Sequence, residues 1–135
     1  MRSIARVGLL LGLTAIACAD LRDIMSLQQG LSKEFPNNAI GVNVNNEAYL
    51  TVTFTNSPAA QLPDSEQALL ARHVAEFVRD HYAEYARLQE INVGFSTVTG
   101  SGSFHFTRTN VPYHFTPKDL ASPSPDAELA TPKQA

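Results

Sequence analysis

The stretch from Asp64 to Glu90 constrains this chain most. Leu70, Val74, Phe77, Val78, His81, Tyr85 and Leu88 fall at steps of three and four, which lines up one face of an α-helix. Ala71, Ala75 and Ala83 favour the helix, and no Gly or Pro interrupts it. Pro63 precedes it, Asp64 or Ser65 can cap its first turn, and Glu66 suits the positive end of its dipole. A helix of that length would span roughly 40 Å, about twice a typical strand, so one end is expected to overhang any sheet it covers.

Paired β-patterns flank this helix. Ala39–Val44 alternates Ile40, Val42 and Val44 with Gly41 and Asn43. After an Asn45-Asn46 turn, Ala48–Thr55 alternates Leu50, Val52 and Phe54 with Tyr49, Thr51, Thr53 and Thr55. Beyond the helix, Ile91–Val98 sets Ile91, Val93 and Phe95 against Asn92, Gly94 and Ser96, and Thr99–Gly102 is a turn. In Ser103–Phe115 the parity of Phe104 and Phe106 opposes that of Val111, Tyr113 and Phe115, which requires a bulge or bend near Arg108–Asn110. Pro112 cannot donate to a ladder, so this strand belongs at an edge. Ahead of all this, Asp20–Phe35 carries Leu21, Ile24, Leu31 and Phe35 on one stripe, with Asp20 as N-cap and Pro36-Asn37-Asn38 as its stop.

The expected fold is α+β, a two-layer sandwich of order α-β-β-α-β-β. Its four-stranded, mainly antiparallel sheet has spatial order 2-1-3-4 and both helices on one face. An arrangement with the second and third strands adjacent and parallel remains open. Residues 117–135, rich in Pro, Ser and Ala, read as a disordered tail.

The 135 residues allow one small domain, and the first 17 are not part of it. Arg2 and Arg6 precede an apolar run, Val7–Ile16, that is shorter than the roughly 20 residues needed to span a bilayer. This is the pattern of a secretory signal. The run leads to Ala15-Ile16-Ala17-Cys18, whose cysteine is the only one in the chain. That segment resembles the lipobox of bacterial lipoproteins, although the family more often has Leu where Ala15 stands. The resemblance implies cleavage before Cys18, a lipidated Cys18 as membrane anchor, and a place in the bacterial cell envelope. Ala19 rather than Asp follows the cysteine, which leans towards the outer membrane in a host with two. Several acyl chains would hold the protein firmly, where one alone is marginal.

Loss of Arg2 and Arg6, with no acid lost, moves the formal charge from −3 to −5. An acidic domain without a basic patch gains nothing from nucleic acid, so none is expected as a partner.

With helices over one face, the other face of the sheet displays Asn43, Tyr49, Thr51, Thr53, Asn92, Ser96 and His105, small or polar and without charge. A solvated face is the plain reading, because antiparallel sheets tolerate one. The functional reading is a docking surface with Tyr49 and His105 as anchors. The edge Tyr49–Thr55 carries no lysine or proline, so it is expected to pair with another chain, most simply in a homodimer. The alternative is a small-ligand site or small envelope enzyme, with His105, Tyr49 and Asn92 sharing one pocket.

Catalytic signals are sparse. His73 and His81 lie about 80° apart around the helix and about 12 Å along it, too far to share an ion. His105 and His114 are roughly 30 Å apart if extended. No serine sits in a nucleophile elbow, and Gly100-Ser101-Gly102 lacks the Lys and following helix of a phosphate loop. No cofactor or metal is expected, and the residues favour a non-catalytic binding or scaffolding role over an enzyme.

Overall fold

A computed structural model describes residues 13–122, with side chains from Leu21 onward. The elements in order are α1 (Leu13–Glu34), β1 (Ala39–Asn45), β2 (Tyr49–Thr55), α2 (Asp64–His81), β3 (Glu90–Ser101), β4 (Phe104–Thr109), β5 (Tyr113–Phe115) and α3 (Pro117–Ala121). Single turns of tighter helix at Pro58–Gln61 and Tyr85–Arg87 lead into and out of α2. Arg2, Arg6 and most of the expected signal, together with residues 123–135 of the expected tail, lie outside the described residues.

The chain is α+β, but the sheet departs from the expected order. It has five strands in the order β1-β2-β3-β4, with β5 also on β3. β2 and β3 run parallel and adjacent, Tyr49 opposite Glu90 through Thr55 opposite Ser96. The order 2-1-3-4 is therefore replaced by the parallel arrangement. α2 supplies the crossover of a dozen or more residues that a parallel pair requires. β2 is a central strand, hydrogen-bonded on both sides. Its lack of guarding charge reflects an interior position, and the homodimer expected through Tyr49–Thr55 has no free edge to form on.

The predicted irregularity of the last strand is present as two strands on the same side of β3. β4 pairs with it from Ser96–Thr109 to Ser101–Phe104, and β5 from Val93–Tyr113 to Ile91–Phe115. Between these ladders Gly94 and Phe95 face Asn110, Val111 and Pro112, so one extra residue is accommodated and the parity reverses. Asn110 N–H still donates to Phe95 O at 3.0 Å. Its side-chain amide donates to Gln67 Oε1 at 3.3 Å, while Gln67 Nε2 donates to Ala59 O at 3.1 Å. Gln67 is 1% exposed, and this buried amide ties α2 to the bulge and to the loop after β2.

The alternating residues expected to point inward do so. Ile40, Leu50, Val52, Phe54, Ile91, Val93 and Phe95 join Leu27, Leu31 and Phe35 of α1 and Ala71, Val74, Ala75 and Val78 of α2 in one buried cluster. Phe54 and Phe95 stack at 5.3 Å across the parallel pair.

α2 is shorter than expected. It ends at His81, about 27 Å long, because the chain must return to start β3 level with Tyr49. Tyr82 turns extended and is buried at the helix end. The helix opens on Pro63 with no side-chain cap, so Asp64 and Ser65 do not cap it, although Asp64 and Glu66 occupy its first turn. α1 runs through Asp20, which is therefore not its N-cap.

The domain does not end at residue 116. Thr116 and Asp119 form a capping box that starts α3, and Leu120 is 2% exposed in the main core. Arg72 Nη2 donates to Ser122 O at 2.7 Å and Arg79 Nη1 to Leu120 O at 2.8 Å. Two α2 guanidiniums thus satisfy carbonyls at the C-terminal end of α3. One apolar side chain and these four groups give order to part of a segment whose composition suggested none.

Candidate functional site

Strand register places the expected polar face. Asn43, Thr51, Asn92 and His114 form one cross-strand row over β1, β2, β3 and β5. Gly41, Thr53 and Gly94 form the next row, and Thr55, Ser96 and Thr109 a third. Six of the seven expected residues therefore share a surface, with Asn43 and Tyr49 exposed and Thr51, Thr53 and Asn92 half-buried. Ser96 is on this face by parity but is buried, its hydroxyl 3.4 Å from that of Thr109. It offers nothing to a ligand. Pro112 lies 4.0 Å from where a Cβ on Gly94 would stand and covers that position.

His105 does not join the group. It pairs with Gly100, eight residues along β3 from Asn92 and so roughly 27 Å away. The pocket expected from His105, Tyr49 and Asn92 is not formed. His114 occupies the place instead. With its proton on Nδ1, the ring donates to Glu90 Oε1 at 3.0 Å and to Asn92 Oδ1. Tyr49 OH donates to Gln89 Oε1 at 3.2 Å beside it. This corner puts the one carboxylate of the row's neighbourhood against the one imidazole. A bulge of one residue decides which strand positions share a row, so His114 could be found only once the parity reversal was placed.

An imidazole held by a carboxylate leaves Nε2 able to accept a proton. Among the described hydrogen bonds, none joins His114 to a hydroxyl nucleophile. Two of the other histidines pack on aromatic rings, while His105 is exposed on β4. His81, on the apolar stripe of the sequence and so expected to be partly buried, is exposed at the end of α2, stacked on Phe77 at 3.9 Å with Nδ1 2.9 Å from Phe77 O. His73 lies edge-on to Phe35 at 5.2 Å. Among the described residues no group of three His, Cys, Asp or Glu could hold a metal ion.

The sequence reading missed an exposed arm. β2 stops at Thr55, where Asn56 takes a left-handed φ of 47°. Asn56 Oδ1 accepts Val98 N–H at 2.7 Å, the last tie between β2's strand end and β3. Beyond it β3 and β4 continue as a two-stranded ribbon through the turn at Gly102 and Ser103. Every β4 side chain is exposed, Phe104 at 76% and Phe106 at 70%, and Val111 at its base reaches 84%. Parity puts both phenylalanines on the helix side of the sheet, past the reach of the helices. The signal was present in Phe104 and Phe106, but which face would be covered there depended on strand length.

Off the sheet face, a cleft of about 260 Å³ lies at the opposite end, between α1, the β1–β2 turn and the segment after α2. Ile24, Val44 and Tyr82 give it an apolar side. At its rim Arg87 pairs with Glu84 at 3.1 Å and approaches Glu47 at 3.7 Å. Ile24 marks this as the end from which α1 runs back through Cys18. Leu21 and Met25, one turn apart on α1 near that end, are 59% and 54% exposed. No described helix is long and apolar enough to cross a membrane.

No protein-family model matches the chain, and neither curated proteins nor solved structures contain a significant match to it.

Proposed function

We propose that this protein is a bacterial envelope lipoprotein, anchored through Cys18, whose domain is a non-catalytic module for docking or scaffolding a protein partner. The observation that carries the docking is the arm: two phenylalanines at 76% and 70% exposure on an isolated ribbon beyond the helix layer. Contiguous exposed apolar surface of this kind marks interaction sites, and a two-stranded ribbon is marginal in water without a partner. The open face beside it, from Asn43 through Thr53, adds a polar surface whose charge is confined to the Glu90–His114 corner. The anchor rests on the lipobox-like Ala15-Ile16-Ala17-Cys18, and Leu21 and Met25 give α1 an apolar patch close to it.

The test is cross-linking in cells from a photoreactive residue at Phe106 and, separately, at Thr53, each with Cys18 and with Cys18→Ala. The expected result is a discrete protein adduct from Phe106, lost or much reduced when Cys18→Ala releases the chain from the membrane fraction. No adduct from either position would sink the docking reading. Unchanged membrane fractionation of Cys18→Ala would sink the anchor.

The cleft between α1 and the β1–β2 turn supports a second reading, a small-ligand site, because it joins an apolar wall to an Arg87–Glu84 rim. Thermal-shift measurements with envelope sugars and short peptides test it: a stabilisation abolished by Arg87→Ala would favour it.

A further inference from the structure

We infer that the arm's partner is a second copy of this chain, joined by antiparallel pairing of β4 with β4 about a two-fold axis at His105. The inference rests on the protein-docking reading of the arm, not on the anchor.

Three observations carry it. The first is the free edge. Among the described residues β4 pairs only with β3, so one side of Phe104–Thr109 has no strand against it. The two-residue turn at Gly102 and Ser103 is closed by Ser101 and Phe104. In such a hairpin the closing residues bond to each other, and the ladder alternates from there. Backbone groups of Phe104 and Phe106 thus point to β3, and those of His105 and Thr107 point outward.

The second is the register that this alternation allows. An axis at His105 pairs the outward groups of His105 with themselves and brings those of Thr107 up to the turn residue Ser103 of the second copy. It sets Phe104 opposite Phe106 of the second copy, twice, in the non-bonded positions where side chains approach most closely. The strand is self-complementary in this one sense: the aromatics meet aromatics on one face. Each side brings aromatic surface of roughly 150–250 Å² per ring, most of it exposed in a single copy. That, with the edge backbone, makes a small interface by the standards of stable dimers, one suited to a monomer–dimer equilibrium and not to a permanent pair.

The third is charge. Residues 97–109 contain no carboxylate, and Arg108 is their only formal charge. In this register Arg108 lies opposite Gly102 of the second copy, so no like charges meet. Other occupants fit less well. Residues 123–135 carry Leu129 as their one large apolar side chain, too little to cover two rings. Among the described residues the edge of β1 is also unpaired, but Val42 and Val44 already pack against the core.

The experiment uses the full chain with Cys18→Ser, so that an introduced cysteine is the only thiol. His105→Cys is expected to give a disulfide-linked dimer under mild oxidation, because directly bonded antiparallel pairs hold Cα atoms about 5.5 Å apart, within disulfide range. Thr53→Cys, on the open face away from the arm, is expected to give none. In sedimentation equilibrium the chain without added cysteine should show a monomer–dimer equilibrium. The double variant Phe104→Ser/Phe106→Ser should weaken it by about tenfold or more, with an unchanged circular dichroism spectrum. Thr107→Pro, which deletes an outward N–H only, should do the same. A strict monomer, a dimer indifferent to these changes, or a His105→Cys chain that never cross-links would overturn the inference. A monomer that nonetheless gives a cellular adduct from Phe106 overturns self-pairing and leaves docking to another protein standing. Flotation of a monomer with lipid vesicles, lost in the double serine variant, would overturn it in favour of a bilayer.

Discussion

Gln67 shows how a single polar residue can hold distant segments in place. It sits at 1% exposure between Ala59 and Asn110, with both ends of its amide in use. Gln67→Leu keeps the volume roughly but strands the Ala59 carbonyl and the Asn110 amide. The expected cost is about 1–3 kcal/mol in urea unfolding, with the largest amide shifts at Asn110 and Val111. Asn56 does comparable work at the root of the arm. Asn56→Ala removes the acceptor of Val98 N–H and places Ala at a φ of 47°. Hydrogen exchange at Val98 should accelerate about tenfold, while amides in the β2–β3 ladder keep their protection. At this scale the sequence was partly legible. The alternation of Tyr49, Thr51 and Thr53 told which side chains share a face, because parity is local. That His114 rather than His105 stands beside Asn92 was not legible, since it depends on the count of residues in a bulge. Gln67 gave no warning either: a glutamine in a helix's first turns reads as solvent-facing until its neighbours are known.

At the level of elements, strand existence and inward faces followed from period-two patterning, whereas strand order did not. The unguarded run Tyr49–Thr55 fits a free edge awaiting a partner and a central strand equally well, and only the pairing with β3 decides. α2 stops at His81 for a similarly non-local reason, since nothing in Tyr82–Glu90 breaks a helix by propensity. α3 was hidden by composition, and it carries a prediction. Leu120→Ala should destabilise the domain by about 2 kcal/mol, the low end for a buried leucine because a five-residue terminal helix can move to fill the space. Truncation after Thr116 should cost at least as much, whereas a free tail would cost nothing. Its pH dependence follows from Asp119. The backbone and side-chain hydrogen bonds from Thr116 hold that carboxyl below its usual value. A depressed carboxylate contributes stability that is present above its unfolded pKa and lost as pH falls through the folded one. Asp80, lowered by its hydrogen bond from Arg79, acts in the same direction. α3 should therefore be docked at neutral pH and loosen as pH drops below about 4. Leu120 methyl resonances would report it, and Asp119→Asn should flatten the acid response; an unchanged profile would count against the capping box as its source.

For the molecule as a whole, topology sets an axis. The cleft lined by Ile24 and Val44 lies level with the first residues of β3, because Val44 is opposite Leu50 and Leu50 opposite Ile91. β3 then runs from Glu90 to Ser101 before the arm turns, roughly 36 Å of extended chain. α1 passes Ile24 towards Cys18 at the first end, and the arm tip stands at the other. A lipid on Cys18 would thus hold Leu21 and Met25 near the bilayer and project Phe104 and Phe106 away from it. Such an orientation leaves the arms of neighbouring copies free to meet above the lipid. The measurement is quenching by lipid-borne spin labels, with a small fluorophore placed at Met25 or at Phe104 of the membrane-bound protein. Strong quenching at Met25 and little at Phe104 is expected, since quenchers act only over short range while the separation is several times that of two packed strands. Equal or stronger quenching at Phe104 would mean that the arm itself enters the bilayer. The apolar ribbon would then be a second membrane contact, and the axis read from the strand ladder would lie along the surface instead of across it.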